Sequence, residues 1–326
     1  MNRKTKAALR GTGSSLPDRI VTNDEFVATI DTSDEWIRTR TGIRERRFAG
    51  PGDTSASLGL SAAQKALAKA KITPSQIDLI VCATVTPDTM TPANACTIQA
   101  ALGCRSIPAF DISAACTGFL YAMSVGDVYI RSGAAQNVLI VGAEVLSRAM
   151  DFSDRNTCIL FGDGAGAAVL SASEYEEEGI HLIQLYSDGT NQHLIQVPGM
   201  VTAPPTGDKP HNFLRMNGRE VFRFAVCRMI ELIESAQLEC QRNNRKIDLL
   251  IPHQVNQRII DSALESTDFP AEKVMVNLDR YGNTSAASVP IALDEALETG
   301  RAKPGDTVLL VAFGGGLTWG SAIVTL

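Results

Sequence analysis

At 326 residues, 44% of them hydrophobic and 20% charged, the chain has the composition of a globular protein long enough for two domains or one duplicated unit. Its formal net charge of -6 argues against general nucleic-acid binding, which needs a basic face, and no apolar run approaches the ~18 residues of a membrane span. Seven scattered cysteines, odd in number and without a C-x-x-C pair, indicate neither a disulfide framework nor a zinc site.

The basic start, Met1 to Lys6, runs into a short strand and glycine turn (Ala7 to Gly13) without the apolar segment of a signal peptide, so a cytoplasmic location is expected. Asn23-Asp24-Glu25 opens a helix, and Asp31 to Ile37 opens a second, with capping residues ahead of acidic ones. Arg38, Arg40, Arg44, Glu45, Arg46 and Arg47 crowd the next segment. They read as a solvated charged face; the alternative is that Trp36 beside Arg40 stacks on and clamps an anionic aromatic ligand. Ser57 to Ala70 has helical spacing, and Ile77 to Ala83 is a short apolar strand.

An apolar run, Ile107 to Ile112, then gives way to Ser113-Ala114-Ala115-Cys116-Thr117-Gly118 and a helical stretch, Thr117 to Ile130. A cysteine at a strand-to-helix junction meets unpartnered N–H groups and the positive end of the helix dipole, which favours thiolate over thiol. Its small neighbours leave room for a bulky acyl group. The competing reading is an inert, buried cysteine. Gly162-Asp163-Gly164-Ala165-Gly166 is not a phosphate loop, because no Lys-Ser/Thr follows and strand-like Ala167 to Leu170 stands where a helix is required.

The chain repeats itself. Ile77-Asp78-Leu79-Ile80 returns as Ile247-Asp248-Leu249-Leu250, and Val138-Leu139-Ile140-Val141 as Val308-Leu309-Leu310-Val311, each 170 positions on. Ser113-Ala114-Ala115 corresponds loosely to Ser285-Ala286-Ala287, 172 on. Two strand-helix units related by a pseudo-twofold axis are expected, bringing one helix N-terminus each to a shared centre. The acidic stretch Glu174 to Gly179 divides them, giving an N-terminal half (1–174) and a C-terminal half (175–326). Residues 187–215 lack periodicity and read as a long surface excursion, whereas Glu220 to Gln241 is an amphipathic helix.

His253 follows directly on the repeated strand, at a strand end where open α/β sheets place their sites. His181, His193 and His211 lie in unpatterned surroundings and read as surface or structural residues. Asn283, in Tyr281-Gly282-Asn283-Thr284-Ser285, sits at the second half's strand-to-helix junction, either as a helix cap or as a partner of Cys116. A Cys, a His and an Asn around one pocket admit two chemistries. In a papain-like protease the His is base to the Cys and the Asn orients it. In carbon-carbon bond formation the Cys carries an acyl group, while His and Asn donate hydrogen bonds to a thioester oxygen. A papain-type C-G-S-C-W context is absent, and the duplicated α/β pattern does not fit that fold.

Taken in order, Ser113 to Phe119 around Cys116, Pro252 to Arg258 around His253, Gly282 to Ala286 around Asn283, and the ending Phe313-Gly314-Gly315-Gly316-Leu317-Thr318-Trp319-Gly320 resemble the β-ketoacyl-acyl carrier protein synthase III family. Asp31 to Arg46 looks like the same family's N-terminal signature, so the resemblance spans the chain. It implies an α/β, thiolase-like duplicated fold layered α-β-α-β-α, with two pseudo-symmetric halves, and a homodimer. It further implies condensation of an acyl-coenzyme A primer with malonyl-acyl carrier protein, with release of carbon dioxide and no cofactor. By resemblance, Cys116 would be the acylated nucleophile, its N–H and that of Gly315 the oxyanion hole, and His253 and Asn283 the stabilisers of the enolate. Thr32, Trp36, Arg40 and Arg155 would hold the coenzyme A head, with Gly218 and Asn256 lining the pantetheine channel.

The carrier protein of this family is acidic, so docking needs a local basic patch; Arg219, Arg223 and Arg258 are the candidates, with Arg215 and Arg228 nearby. The segment Asp261 to Ser266 departs from relatives by carrying acids instead of lysines, and Thr91 stands where many relatives place a phenylalanine that reaches the partner's acyl pocket. A smaller side chain there is expected to admit primers longer than acetyl. These departures keep open a relative serving secondary metabolism or transferring acyl groups without decarboxylation. A non-catalytic binding subunit has no need of Cys116, His253 and Asn283 together.

Overall fold

Leu79-Ile80-Val81-Cys82-Ala83 and Val308-Leu309-Leu310-Val311-Ala312 are apolar on both faces, so each belongs in a sheet covered on both sides. The computed structural model describes residues 5–198 and 213–326. His211 lies outside the described residues. In chain order the main elements are β1 (Lys6–Ser15), α1 (Asp34–Thr41), α2 (Ser55–Ala70), β2 (Leu79–Ala83), α3 (Asn94–Leu102), β3 (Ala109–Ile112), α4 (Gly118–Arg131), β4 (Asn137–Glu144), β5 (Gly164–Ser173) and β6 (Gly179–Ser187). There follow α5 (Gly218–Arg242), β7 (Leu249–Pro252), α6 (Gln257–Thr267), α7 (Ser288–Glu298), β8 (Thr307–Gly314) and β9 (Thr318–Thr325).

Two sheets result, ordered β1-β5-β4-β2-β3 and β7-β8-β9-β6. Alternation along each strand assigns its side chains to different layers. Leu79, Val81, Leu249, Ile251, Val308 and Leu310 face inward onto α4 and α7, which lie between the sheets. Ile80 and Cys82 face outward under α2 and α3, and Leu250, Leu309 and Val311 face outward under α5 and α6. The order of layers is α-β-α-β-α.

The repeat is kept in the pairing register. Leu79 pairs with Val138 and Leu249 with Val308, both parallel and both 170 residues apart between the sheets. The turns opening the central helices, Ala115–Thr117 and Ser285–Ala287, also stand 170 apart, which corrects the 172 suggested by matching Ser-Ala-Ala. In each turn the first residue takes a left-handed φ, 46° at Ala115 and 49° at Ser285.

Two sequence expectations hold only in part. The Arg38–Arg47 segment is not wholly a solvated face, because Arg46 is fully buried, donating to Asn23 Oδ1 (2.8 Å) and Ile159 O (2.6 Å) with its guanidinium 4.7 Å from the Phe26 ring. The described ends of the 187–215 stretch are mostly exposed, as expected of a surface excursion, but they are anchored: Leu194 and Leu214 are buried, and Ile195 and Gln196 pair with Met216 and Arg215. Leu194 and Leu214 find cover in the interior, whereas Val197 and Phe213 stay exposed.

Candidate active site

Cys116 lies in the turn between β3 and α4, at the meeting point of two cavities. One, of about 830 Å³, is lined by Thr84, Thr91, Phe110, Ala114, Ser285 and Gly315 among others. The second, of about 30 Å³, is lined by His253, Asn283, Phe313, Gly314 and Phe224. Cys116, Phe161 and Ile195 line both, so the sulfur has a roomy side and a narrow side. The structure thus brings Cys116, His253 and Asn283 to one space.

The expected thiolate is not what the structure supports. Burial pushes the Cys116 thiol up to about 12, outweighing hydrogen bonds from the Ser285 side chain and the Cys116 backbone N–H, which act the other way; the buried Glu144 carboxylate adds to the rise. Glu144 ends β4 and accepts from Thr86 Oγ1 (2.7 Å), the Val85 N–H (3.1 Å) and Thr84 Oγ1 (3.2 Å). Its burial raises its own pKa to about 7.

His253 follows β7, its N–H donating to Val311 O at 2.7 Å and its ring edge-on to Phe313. Gln254 behind it is buried and clamped, donating to Pro252 O and accepting from the Asn277 N–H. The imidazole Nδ1 meets Ser288 Oγ at 2.6 Å, while Nε2 is buried without a partner among the described residues. Burial lowers the His253 pKa to about 3, so the ring is neutral at physiological pH. Asn283 is held by Leu160 O and the Gly162 N–H through its backbone, and its carboxamide oxygen accepts from the Ser285 N–H at 2.8 Å. That bond assigns the amide orientation and leaves the NH₂ for the cavity.

Gly315 lines the wide cavity, and the following strand ties it to the Cys116 turn: Thr318 Oγ1 lies 3.1 Å from Gly315 O, 3.2 Å from Ala114 O and 3.0 Å from Thr117 Oγ1. Gly314, Ser285, Ser288 and Arg46 were not singled out by sequence reasoning. Only the loose Ser-Ala-Ala match, 172 positions on, pointed toward the turn that opens with Ser285 and leads into Ser288.

The residues expected around coenzyme A form a separate cluster. The Arg155 and Arg40 guanidinium carbons stand 4.9 and 5.7 Å from the Trp36 ring centroid, and Arg155 also donates to Asp31 O (2.7 Å). Thr32 Oγ1 is buried and unpartnered there. Asn256 caps α6 through the Arg258 N–H and donates to Arg40 O, so both ends of its carboxamide are engaged; neither it nor Gly218 lines the two cavities. Arg219, Arg223 and Arg258 are exposed near the start of α5 and on α6, Arg223 facing Glu220 at 3.5 Å and Arg258 lying over Phe222. Arg228 is engaged elsewhere, paired with Glu231 and stacked on Trp319. His181 meets Thr325 Oγ1 at 2.9 Å, and His193 is exposed.

Fold and site together define a thiolase-like condensing enzyme: two matched sheet-helix units, with a cysteine at one central helix start and a histidine and an asparagine of the other half lining the same cavity. Comparison with known proteins makes the assignment specific. Family models described as 3-oxoacyl-[acyl-carrier-protein (ACP)] synthase III and its C terminal match residues 110–189 and 239–326. A β-ketoacyl-[acyl-carrier-protein] synthase III of Sinorhizobium medicae is 50% identical over 323 residues, covering 98% of this chain and 99% of its own. The crystal structure of 3-oxoacyl-[acyl-carrier-protein] synthase III from Aquifex aeolicus is 44% identical with a TM-score of 0.90, covering 98% of this chain and 100% of its own. A priming β-ketosynthase from a polyketide biosynthetic pathway is 35% identical with a TM-score of 0.89, covering 98% of this chain and 96% of its own. The chain belongs to the β-ketoacyl-[acyl-carrier-protein] synthase III family, and it is a condensing acyltransferase that initiates fatty-acid synthesis. No helix among the described residues is long and apolar enough to cross a membrane.

Proposed function

We propose that Cys116 carries the acyl group of an acyl-coenzyme A primer, which then condenses with malonyl-acyl carrier protein. The sulfur attacks the primer thioester, the thiol proton is lost, and coenzyme A leaves as its thiol. The malonyl thioester oxygen next accepts hydrogen bonds from His253 Nε2–H and the Asn283 NH₂. The carboxylate's C–C bond breaks, carbon dioxide departs, and the electron pair is held as an enolate. The enolate carbon attacks the acyl carbon, whose oxygen is stabilised by the N–H groups of Cys116 and Gly315. Collapse of that adduct expels the Cys116 thiolate and frees the β-ketoacyl product. Nothing in this sequence calls on a cofactor.

One observation carries this reading: His253 Nδ1 and the Asn283 carboxamide oxygen are engaged by Ser288 and Ser285, which leaves Nε2 and the NH₂ free, and both residues line the narrow cavity with Cys116. Thr32, Trp36, Arg40 and Arg155 suit an adenine nucleotide with phosphates, with Gly218 and Asn256 further along the pantetheine path, and Arg219, Arg223 and Arg258 suit an acidic carrier. The half-buried edge strand β3 supports a homodimer. The two halves, 1–174 and 175–326, are read as a duplication, and the enzyme as cytoplasmic. Thr91 at the rim of an 830 Å³ cavity supports primers longer than acetyl. The likeness to a priming ketosynthase favours a second reading, service in secondary metabolism.

Intact mass after incubation with a panel of acyl-coenzyme A thioesters, then malonyl-carrier protein, tests the sequence of steps. Acyl mass is expected on Cys116 and is expected to leave as β-ketoacyl product. Asn283→Ala should still acylate but condense roughly 10²–10³-fold more slowly. Full-rate condensation by that variant would overturn the role given to Asn283.

A further inference from the structure

The geometry points to Ser288 as a positioning residue for condensation: by donating its hydroxyl proton to His253 Nδ1, it keeps the imidazole as the Nε2–H tautomer and makes the ring a hydrogen-bond donor toward the Cys116 cavity. This rests on the reading above, in which His253 donates to the thioester oxygen.

His253 and Ser288 are each 1% exposed, and their Nδ1 and Oγ atoms are 2.6 Å apart. A neutral imidazole carries one N–H, so either Nδ1 donates to the serine oxygen or the serine donates to Nδ1. In the first case the Ser288 hydroxyl proton needs another acceptor. Among the described residues Ser288 Oγ has no hydrogen-bond partner but His253 Nδ1, and the helical carbonyl one turn back, at Thr284, is not bonded to it. The first arrangement would therefore bury a donor with nothing to receive it, which folded proteins avoid. In the second every group is satisfied except Nε2–H, and Nε2 is the atom left without a partner on the side of Cys116 and Asn283. Burial also keeps the ring neutral, so the choice of tautomer is a real one.

The same turn orients the other donor. Ser285 holds the Asn283 oxygen through its backbone N–H, which any residue supplies, whereas Ser288 acts through its side chain and is open to substitution. Counted back 170 positions, Ser288 falls on Gly118, the first residue of the helix behind Cys116. One half thus places a nucleophile at this junction, and the other places the groups that aim its two donors.

The test compares Ser288→Ala and Ser288→Thr with the unaltered enzyme. Nitrogen-15 spectra of histidine-labelled protein report the His253 tautomer directly; the proton is expected on Nε2 in the unaltered enzyme and in Ser288→Thr, and shared between both nitrogens in Ser288→Ala. Acylation of Cys116, read by intact mass, should stay within about twofold in both variants, which also shows that they fold. Condensation by acylated Ser288→Ala should fall toward the roughly 10²-fold that loss of one such donor costs, and Ser288→Thr should recover most of it. An Nδ1–H proton in the unaltered enzyme, or undiminished condensation by Ser288→Ala, overturns the proposal. His253→Ala separates the two failures: if it loses condensation while Ser288→Ala does not, only the role of Ser288 falls, and if it condenses at full rate the reading of His253 falls with it.

Discussion

A Cβ atom on Gly314 would stand 2.7 Å from the Cys116 nitrogen and 3.0 Å from the Cys116 Cβ, so the last residue of β8 touches the nucleophile's turn backbone to backbone. No side chain fits there without moving the turn. Gly315, whose added Cβ would meet nothing nearer than Ile195 O at 3.4 Å, is not confined in this way. Gly314→Ala is therefore expected to slow acylation of Cys116 by ~10² or more, since misplacing a reacting atom by about 1 Å costs that much. Gly315→Ala keeps its N–H and should acylate within about tenfold of the unaltered enzyme, the loss of a single such donor costing roughly 10²–10³. Equal rates for the two, measured by acyl mass against time, would contradict this division.

The raised pKa of Cys116 has a kinetic signature. With the thiol near 12, alkylation of the empty enzyme by iodoacetamide should keep climbing about tenfold per pH unit from 7 to 10, because the thiolate fraction is still small at the upper limit. A sulfur activated by the helix dipole alone would level off near or below 8.5, the ordinary range of a free cysteine. A plateau in that range would show that the dipole outweighs burial.

Much of this candidate site was legible because Cys116, His253 and Asn283 sit at strand ends or helix starts, places that apolar periodicity marks in a sequence. Cys116 follows β3, His253 follows β7, and the constant offset between repeated strands tied Asn283 to the same centre. What periodicity does not mark is close approach between segments distant in sequence. Gly314 was one of three consecutive glycines with nothing to distinguish it, and Ser288 was one small residue in a small-residue run. The same sameness produced the two-residue error at the turn: Ser-Ala-Ala matched by letter, while the left-handed positions, Ala115 and Ser285, carry different side chains. Arg46 was hidden for another reason. Composition reads a cluster of arginines as surface, and only the fold reveals that one of them points inward.

Glu144 predicts a pH dependence of stability. Its carboxyl is fully buried and titrates near 7 in the folded chain, against 4.5 for an ordinary glutamate. Between those values the folded protein keeps a proton that the unfolded chain has released, so stability falls as pH rises through this window and is flat with respect to this group above it. A difference of this size corresponds to roughly 3 kcal/mol. Glu144→Gln removes the titration. Urea unfolding at pH 5 and pH 8 should show a smaller drop for the variant than for the unaltered protein. An identical drop would mean that Glu144 stays ionised throughout.

Arg46 links stability to the second half-reaction. Its charge is buried with no acid paired to it among the described residues, and burial lowers its pKa to about 10, so it is still charged at neutral pH. The guanidinium reaches Asn23 Oδ1 and Ile159 O at once, and Ile159 precedes the Leu160–Gly162 stretch that hydrogen-bonds the Asn283 backbone on both sides. Arg46→Lys keeps the charge but replaces the flat fork with a compact, strongly hydrated ammonium that cannot span both acceptors. Arg46→Met abandons the acceptors and also removes the cost of burying the charge. Lysine should therefore be the worse substitution, lowering unfolding free energy by roughly 3 kcal/mol, with methionine costing less. Both should slow condensation more than acylation, because the Leu160–Gly162 stretch they loosen is hydrogen-bonded to the Asn283 backbone. Urea midpoints and the two half-reaction rates check this, and a lysine variant as stable as the unaltered protein would show that the fork geometry is not what holds this loop.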